Sequence, residues 1–167
     1  AILLMADQTP AWREVYSRIT DELATRHTSY WAAIDWNTFI GPSPDRANYG
    51  PANAPGYQAW PERVRGNYDS PGWTANGVEP WGLQPDPIGA DGNLFFRGWL
   101  NLLLSIHKYV SGDDKWEQPW EIAGYENEHF EWTQPGIVEH LHRQYTDHPE
   151  GPQCENTKIW PLCNTAA

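Results

Sequence analysis

Basic residues are scarce in this chain: 11 Lys and Arg stand against 22 Asp and Glu, a net charge of −11. So acidic a surface has no means of neutralising phosphates, which argues against a nucleic-acid partner. It argues equally against docking on anionic lipid. Long apolar runs are missing too, and none approaches the ~20 residues of a membrane span. No basic-then-apolar leader with a small-residue cleavage site is visible, so the cytoplasm is the default expectation. Cysteine is nearly absent, at 2 residues in 167. A chain of this length buries roughly 70% of its unfolded surface, so it does not need disulfides to fold. No Gly-rich phosphate loop, HExxH, CxxC or EF-hand pattern occurs. His140 and His142 are two apart on an expected helix and point to different sides, so they do not share an ion. No metal and no cofactor are expected. Internal repeats and Asn-x-Ser/Thr sites are absent, and alternating strand patterns are few.

What is abundant is tryptophan, 11 residues, within an aromatic content of 14%. Aromatic-rich clefts bind sugars, terpenoids and cations, and large flat side chains also fill cores. Composition alone leaves both open.

Residues 1–7 are apolar and helical in type. Thr9-Pro10 reads as a helix start, with Thr9 as N-cap and Pro10 at the first helical position. Trp12, Val15, Tyr16, Ile19 and Leu23 follow at three- and four-residue steps, which predicts an amphipathic helix over 10–26 with these residues facing the core. From Thr28 to Asp91 the chain is dense in Pro, Gly and Asn, and such dipeptides punctuate turns. Its aromatics, among them Tyr49, Trp60, Trp73 and Trp81, argue for an ordered insert over a cavity mouth. A packing arm for a neighbouring subunit is the rival reading.

Residues 92–111 give the strongest helix. Phe95, Trp99, Leu102, Leu103 and Ile106 share one side, and Phe96, Leu100, Leu104 and Tyr109 widen the stripe, as in a helix buried on most sides. Gly112 suits its C-terminal cap. Residues 116–132 read mostly as loop, broken by Pro119 and Gly124. Thr133 caps a third helix to Tyr145, with Ile137, Leu141 and Tyr145 inward and Glu139–Arg143 as a surface pair. The fold class is all-α with long aromatic, Pro-rich loops, in one domain over 1–167.

The stretch from Cys154 to Asn164 holds both cysteines, nine positions apart. Pro161 lacks a backbone donor and is expected to keep the intervening segment out of a regular helix. An ordinary thiol titrates near ~8.5. Two thiols in a dry cavity, in different protonation states, could give a proton to a leaving hydroxyl and take one from carbon. A disulfide between them is the competing reading. The carboxylates Asp35, Asp45, Asp69, Glu79, Asp86, Asp91 and Glu155 keep a third reading open, since a flanking pair is what glycoside cleavage needs.

Four stretches in order carry a resemblance: Asp86-Pro87-Ile88; Asn93 with Gly98, Leu100, Asn101 and Leu102; Val110-Ser111-Gly112; and Cys154-Glu155 with Cys163-Asn164. Together they resemble the linalool dehydratase/isomerase family, over about Asp86 to Ala167. The resemblance implies an (α/α)6 barrel with the site at its mouth and no cofactor. It implies loss of water from, and allylic rearrangement of, a terpenoid alcohol, a small hydrophobic substrate. Cys154 and Cys163 would be the acid and base thiols, with Glu155 beside them. Phe95 matches a substrate-lining position, and Asn164, Asp86 and Trp81 are read as further substrate contacts. Trp99 stands where the family has a catalytic His. An indole only donates and cannot shuttle a proton, but its ring can face a carbocation, so the reaction is expected to be altered. The family's catalytic Asp and Tyr lie upstream of this chain and its second half-barrel downstream. The expectation is therefore about half a barrel, completed by other segments or by copies in a homo-oligomer. The rivals are a sugar-binding or glycoside-active helical barrel, and a non-catalytic interaction fragment with a Cys154–Cys163 disulfide.

Overall fold

The computed structural model describes residues 2–31, 78–79, 82–90, 93–124, 128–154 and 159–167. Most of the aromatic insert, with Trp81, and the carboxylate Glu155 lie outside these residues.

The described residues are mostly helical. Helix α1 spans Ile2–Gln8. A 3-10 turn at Pro10–Trp12 leads into α2 at Arg13–Arg26, which ends in a π-helical turn at His27–Trp31. Thr9 makes no side-chain cap. Its hydroxyl donates to the Met5 carbonyl (2.6 Å) and meets the Tyr16 hydroxyl (2.7 Å), so it fastens the end of α1 to α2 instead. The buried positions of α2 are Tyr16, Thr20 and Ala24, four residues apart. Trp12, Ile19 and Leu23, expected inward, are 58%, 44% and 40% exposed. The small side chains of Thr20 and Ala24 allow a close approach to the long central helix. The bulky stripe is left on the outside.

That central helix, α3, spans Leu94–Ser111. It is terminated by Gly112 at φ 76°, where a residue with no Cβ is unstrained, and the Gly112 N–H donates to Lys108 O. Its start is held by two distant segments. The Asn93 side chain donates to Pro87 O (2.8 Å), and the Leu94 N–H, otherwise an orphan of the first turn, donates to Gln153 O (3.1 Å). One face is buried, with Leu94, Arg97, Leu100 and Leu104 in it. The other is not: Phe95 is 54% and Tyr109 60% exposed. The helix is thus buried on one side rather than on most.

Two antiparallel hairpins accompany the helices. The shorter pairs β1 (Val78–Glu79) with β2 (Gly82–Leu83). The longer pairs β3 (Trp120–Ala123) with β4 (His129–Trp132), with Trp120 opposite Trp132 and Ile122 opposite Phe130. Residues expected to be mostly loop are therefore a hairpin. Pro119 and Gly124 flank β3 rather than interrupt it, and Phe130 and Trp132 alternate with exposed neighbours as a strand requires. Gly124 is tightly placed, since a Cβ there would lie 2.3 Å from Pro85 O.

Helix α4 spans Gln134–Asp147, and the Thr133 hydroxyl accepts from the Gly136 N–H as the expected cap. Ile137 and Leu141 are buried, each contributing about 1.5–3 kcal/mol of apolar transfer. Arg143 and Glu139 pair at 3.1 Å on the surface. The chain closes with α5, Pro161–Ala166, lying against α3. Here the proline reading is corrected. Pro161 starts a helix, because its missing N–H falls where a first turn has no partner to lose. One core gathers Ala24, Ile88, Leu94, Leu100, Ile122, Ile137, Cys154 and Cys163, and Ala6 of α1 packs with Tyr16 and Val110 in a smaller cluster. No helix among the described residues is long and apolar enough to cross a membrane.

Candidate active site

The two sulfurs are not bonded to each other. Cys154 and Cys163 are separate thiols, 0% and 4% exposed, in one apolar cluster. This overturns the disulfide. Cys154 follows Gln153, whose carbonyl sits at the start of α3, and Cys163 lies in the first turn of α5. Gly151 (φ 104°) and Asn164 fit together between them: a Cβ at Gly151 would lie 2.6 Å from Asn164 Oδ1. The Asn164 amide donates to Trp160 O (3.0 Å) and more weakly to Pro152 O (3.4 Å). Its Oδ1 is buried with no hydrogen-bond partner among the described residues.

Three residues that sequence reasoning did not assign to the site, Arg97, Gln144 and Tyr145, link α3, α4 and α5. The Tyr145 hydroxyl donates to Asn164 O (3.0 Å). Burial pushes its pKa up, Cys154 and then Cys163 add to the rise, and Arg97 opposes it. Arg97 is fully buried. Its Nη1 donates to Ala90 O and its Nη2 to Gln144 Oε1 (2.6 Å). The available signal was a lone cation in the apolar run from Leu94 to Leu104. Gln144 gave none, and Tyr145 read as ordinary core.

Asp86 anchors the turn that precedes α3. Its Oδ1 accepts from the Ile88 N–H (2.9 Å) and its Oδ2 from the Trp132 indole (3.0 Å). Burial holds the carboxyl above its usual range, although these donors and Arg97 pull it down. Of the carboxylates considered for glycoside chemistry, it is the one whose side chain lies in the described residues, and both its oxygens are engaged. Phe95 and Trp99 are elsewhere, one turn apart on the exposed face of α3, Trp99 at 39%. The structure therefore brings Cys154, Cys163 and Asn164 together, places Asp86 within the field of Arg97, and sets Phe95 and Trp99 apart. An apolar groove of about 330 Å³ lies near the other end of α3. It is lined by Leu3, Leu102, Ser105, Ile106 and Tyr109, and by neither thiol.

The described residues thus hold two buried thiols that form no disulfide, with a phenol bonded to the carbonyl of the residue after Cys163. The family model for linalool dehydratase/isomerase matches residues 71–167, more than half of the chain, and the chain belongs to that family. No curated protein and no solved structure matches it.

Proposed function

We propose that the protein is a lyase/isomerase of hydrophobic allylic alcohols of terpenoid type, working by thiol acid–base chemistry without a cofactor. The observation that carries this reading is the pair of buried thiols, Cys154 and Cys163, that form no disulfide and share one apolar cluster. In dehydration, one thiol gives its proton to the hydroxyl as the C–O bond breaks, and water leaves with the bonding pair. The other sulfur, as thiolate, takes a proton from the carbon next to the allylic cation, and that C–H pair becomes the new double bond. Return of water to the far end of the allyl system gives the rearranged alcohol instead. Burial suits this chemistry, because a dry site strengthens each charge contact and protects the cation from stray water.

Asn164 Oδ1, a buried acceptor without a partner among the described residues, is the group we assign to the substrate hydroxyl. Glu155, next to Cys154, is assigned to hold that thiol, and Asp86 to brace the site through its turn. Trp99 cannot pass on a proton as the family His does. With Phe95, and with Trp81 from the insert, it is assigned to an apolar, cation-tolerant wall.

We also propose that 1–167 is one part of an (α/α)6 barrel. In support, Trp12 just before α2, and Ile19 and Leu23 on it, form an apolar face of the kind that neighbouring barrel helices cover. Further segments or other copies of the chain would complete it. Replacing Cys154→Ala and Cys163→Ala singly is expected to abolish conversion of a terpenoid alcohol, followed by gas chromatography of alcohol and alkene. Full turnover by either variant would end the reading.

A further inference from the structure

Cys154 is 0% and Cys163 4% exposed. At 0%, not even a water molecule touches Cys154, and neighbouring segments or copies of the chain could only cover it further. An alcohol therefore reaches the thiols after some covering element has moved. The elements around this core are not equally fixed. α3 spans 18 residues and buries Leu94, Phe96, Leu100 and Leu104 among others, and α4 spans 14 and buries Ile137, Leu141 and Gln144. α5 spans 6 residues and buries one, Cys163. A helix of that length does not hold itself together in water. Its position is set from outside. The Tyr145 hydroxyl on α4 donates to Asn164 O (3.0 Å). The Asn164 side chain donates to Pro152 O (3.4 Å), two residues before Cys154. Ala167, just after α5, rests on Gly98 of α3.

We propose that α5 is the gate of the thiol site: it moves off α3 and α4 as a unit, lifts Cys163 out of the core and opens the way to Cys154 for a small apolar alcohol. This rests on the lyase reading given above.

Local opening costs what the moving element buries and bonds. For α5 that includes one thiol, the bonds from Tyr145 and to Pro152, and the Ala167 contact. For α3 it would be most of the core. One feature of the closed state favours opening. Asn164 Oδ1 is buried without a partner among the described residues and pressed against Gly151, where a Cβ would lie 2.6 Å away. An acceptor left unpaired in a dry place is costly, and opening gives it water or the substrate hydroxyl. Gly98 and Gly151 make the closed position possible, since a side chain at either would meet Ala167 or Asn164. The alcohol takes the space that α5 leaves. Return of α5 over it keeps water away during the proton transfers.

The test reads each sulfur without substrate. Alkylation by iodoacetamide under native conditions, resolved by peptide mass, gives separate rates for Cys154 and Cys163. Both rates are expected to be nearly independent of low urea, because opening α5 exposes little surface. Tyr145→Phe removes the hydroxyl that holds Asn164 O and is expected to raise both rates about five-fold, the worth of one net hydrogen bond. Gly98→Ala sets a methyl group against Ala167 and acts in the same direction from α3. Thr20→Val, which weakens the fold near the far end of α3, leaves both rates unchanged at low urea. Should Tyr145→Phe fail to fold, Gly98→Ala decides. Rates that Tyr145→Phe and Gly98→Ala leave unmoved, or that Thr20→Val raises equally, overturn the inference, because the thiols are then reached by global unfolding. A rise at Cys163 alone overturns it too, since an opening that stops short of Cys154 admits no substrate to the pair. The two readings fail separately. Accelerated alkylation with full turnover in Cys154→Ala sinks the lyase reading and leaves the gate. Unmoved alkylation with inactive Cys154→Ala does the reverse.

Discussion

Two buried polar clusters hang on α3, about three turns apart. Near its start, Arg97 is bonded to Ala90 O and Gln144 Oε1. Near its end, His107 meets Thr20 of α2. Both are shut off from water, yet they are built differently. The first joins α3 to the turn before it and to α4, and contains a full charge. The second joins two helices through one neutral hydrogen bond, His107 Nδ1 to Thr20 Oγ1 at 2.9 Å. The Thr20 hydroxyl also lies 3.0 Å and 2.9 Å from the carbonyls of Tyr16 and Ser17, which only accept. His107 Nε2 is buried with no partner among the described residues. Burial of polar atoms does not by itself mark a reactive site. Holding a full charge takes fixed partners from separate segments, because its desolvation cost is the larger one.

The largest effect should come from removing the charge. Arg97→Met leaves Ala90 O and Gln144 Oε1 without their donor in a dry interior. With hydrogen bonds to charged groups worth about 1.5–3 kcal/mol each, a loss of about 3 kcal/mol or more is expected in urea denaturation. A loss below about 1 kcal/mol would place the cluster with the neutral one and erase the contrast.

Much of this was legible in the sequence, and the illegible part has a common cause. Gly112, Thr133 and the Glu139–Arg143 pair announce helix ends and a surface rung through local chemistry, and they stand where they were expected. The cysteine pair and the motifs around it announced the family. The faces of α2 and α3 were not legible, because both helices carry more large apolar residues than one face can bury. Periodicity cannot rank Trp12, Ile19 and Leu23 against Thr20 and Ala24 when close approach favours the smaller set. The start of α5 at Pro161 is not legible either, because a proline that disfavours helix before it can equally begin one. Arg97 and Gln144 meet across 47 positions, and no local pattern encodes that.

An intermediate effect is expected at the second cluster. Thr20→Val keeps the shape and removes the oxygen that His107 Nδ1 bonds. One buried ring nitrogen is left unsatisfied, which costs about 1–3 kcal/mol in urea denaturation. The two clusters share no partner, so the losses of Thr20→Val and Arg97→Met should add in the double variant. A clear departure from additivity would show the clusters to be one unit.

The smallest effect is expected at Asp86, and pH separates it from the rest. Its folded pKa is raised above 3.8, chiefly by burial. The protonated form is thus the one the fold prefers. The stability it contributes is complete below the unfolded value and is lost as pH rises through the folded one. At neutral pH Asp86 is a tolerated charge, and the Trp132 indole is among the donors that make it tolerable. Trp132→Phe removes that donor, leaves most of the ring area and pushes the carboxyl further up. We expect a loss of about 1 kcal/mol at neutral pH, shrinking as the medium is acidified and Asp86 takes up its proton in mutant and parent alike. Parallel urea midpoints at neutral and acid pH measure this. A loss that stayed constant across that range would mean that the indole acts by packing alone. Asp86 would then belong with Thr20 and His107 as neutral scaffolding rather than with the charged cluster around Arg97.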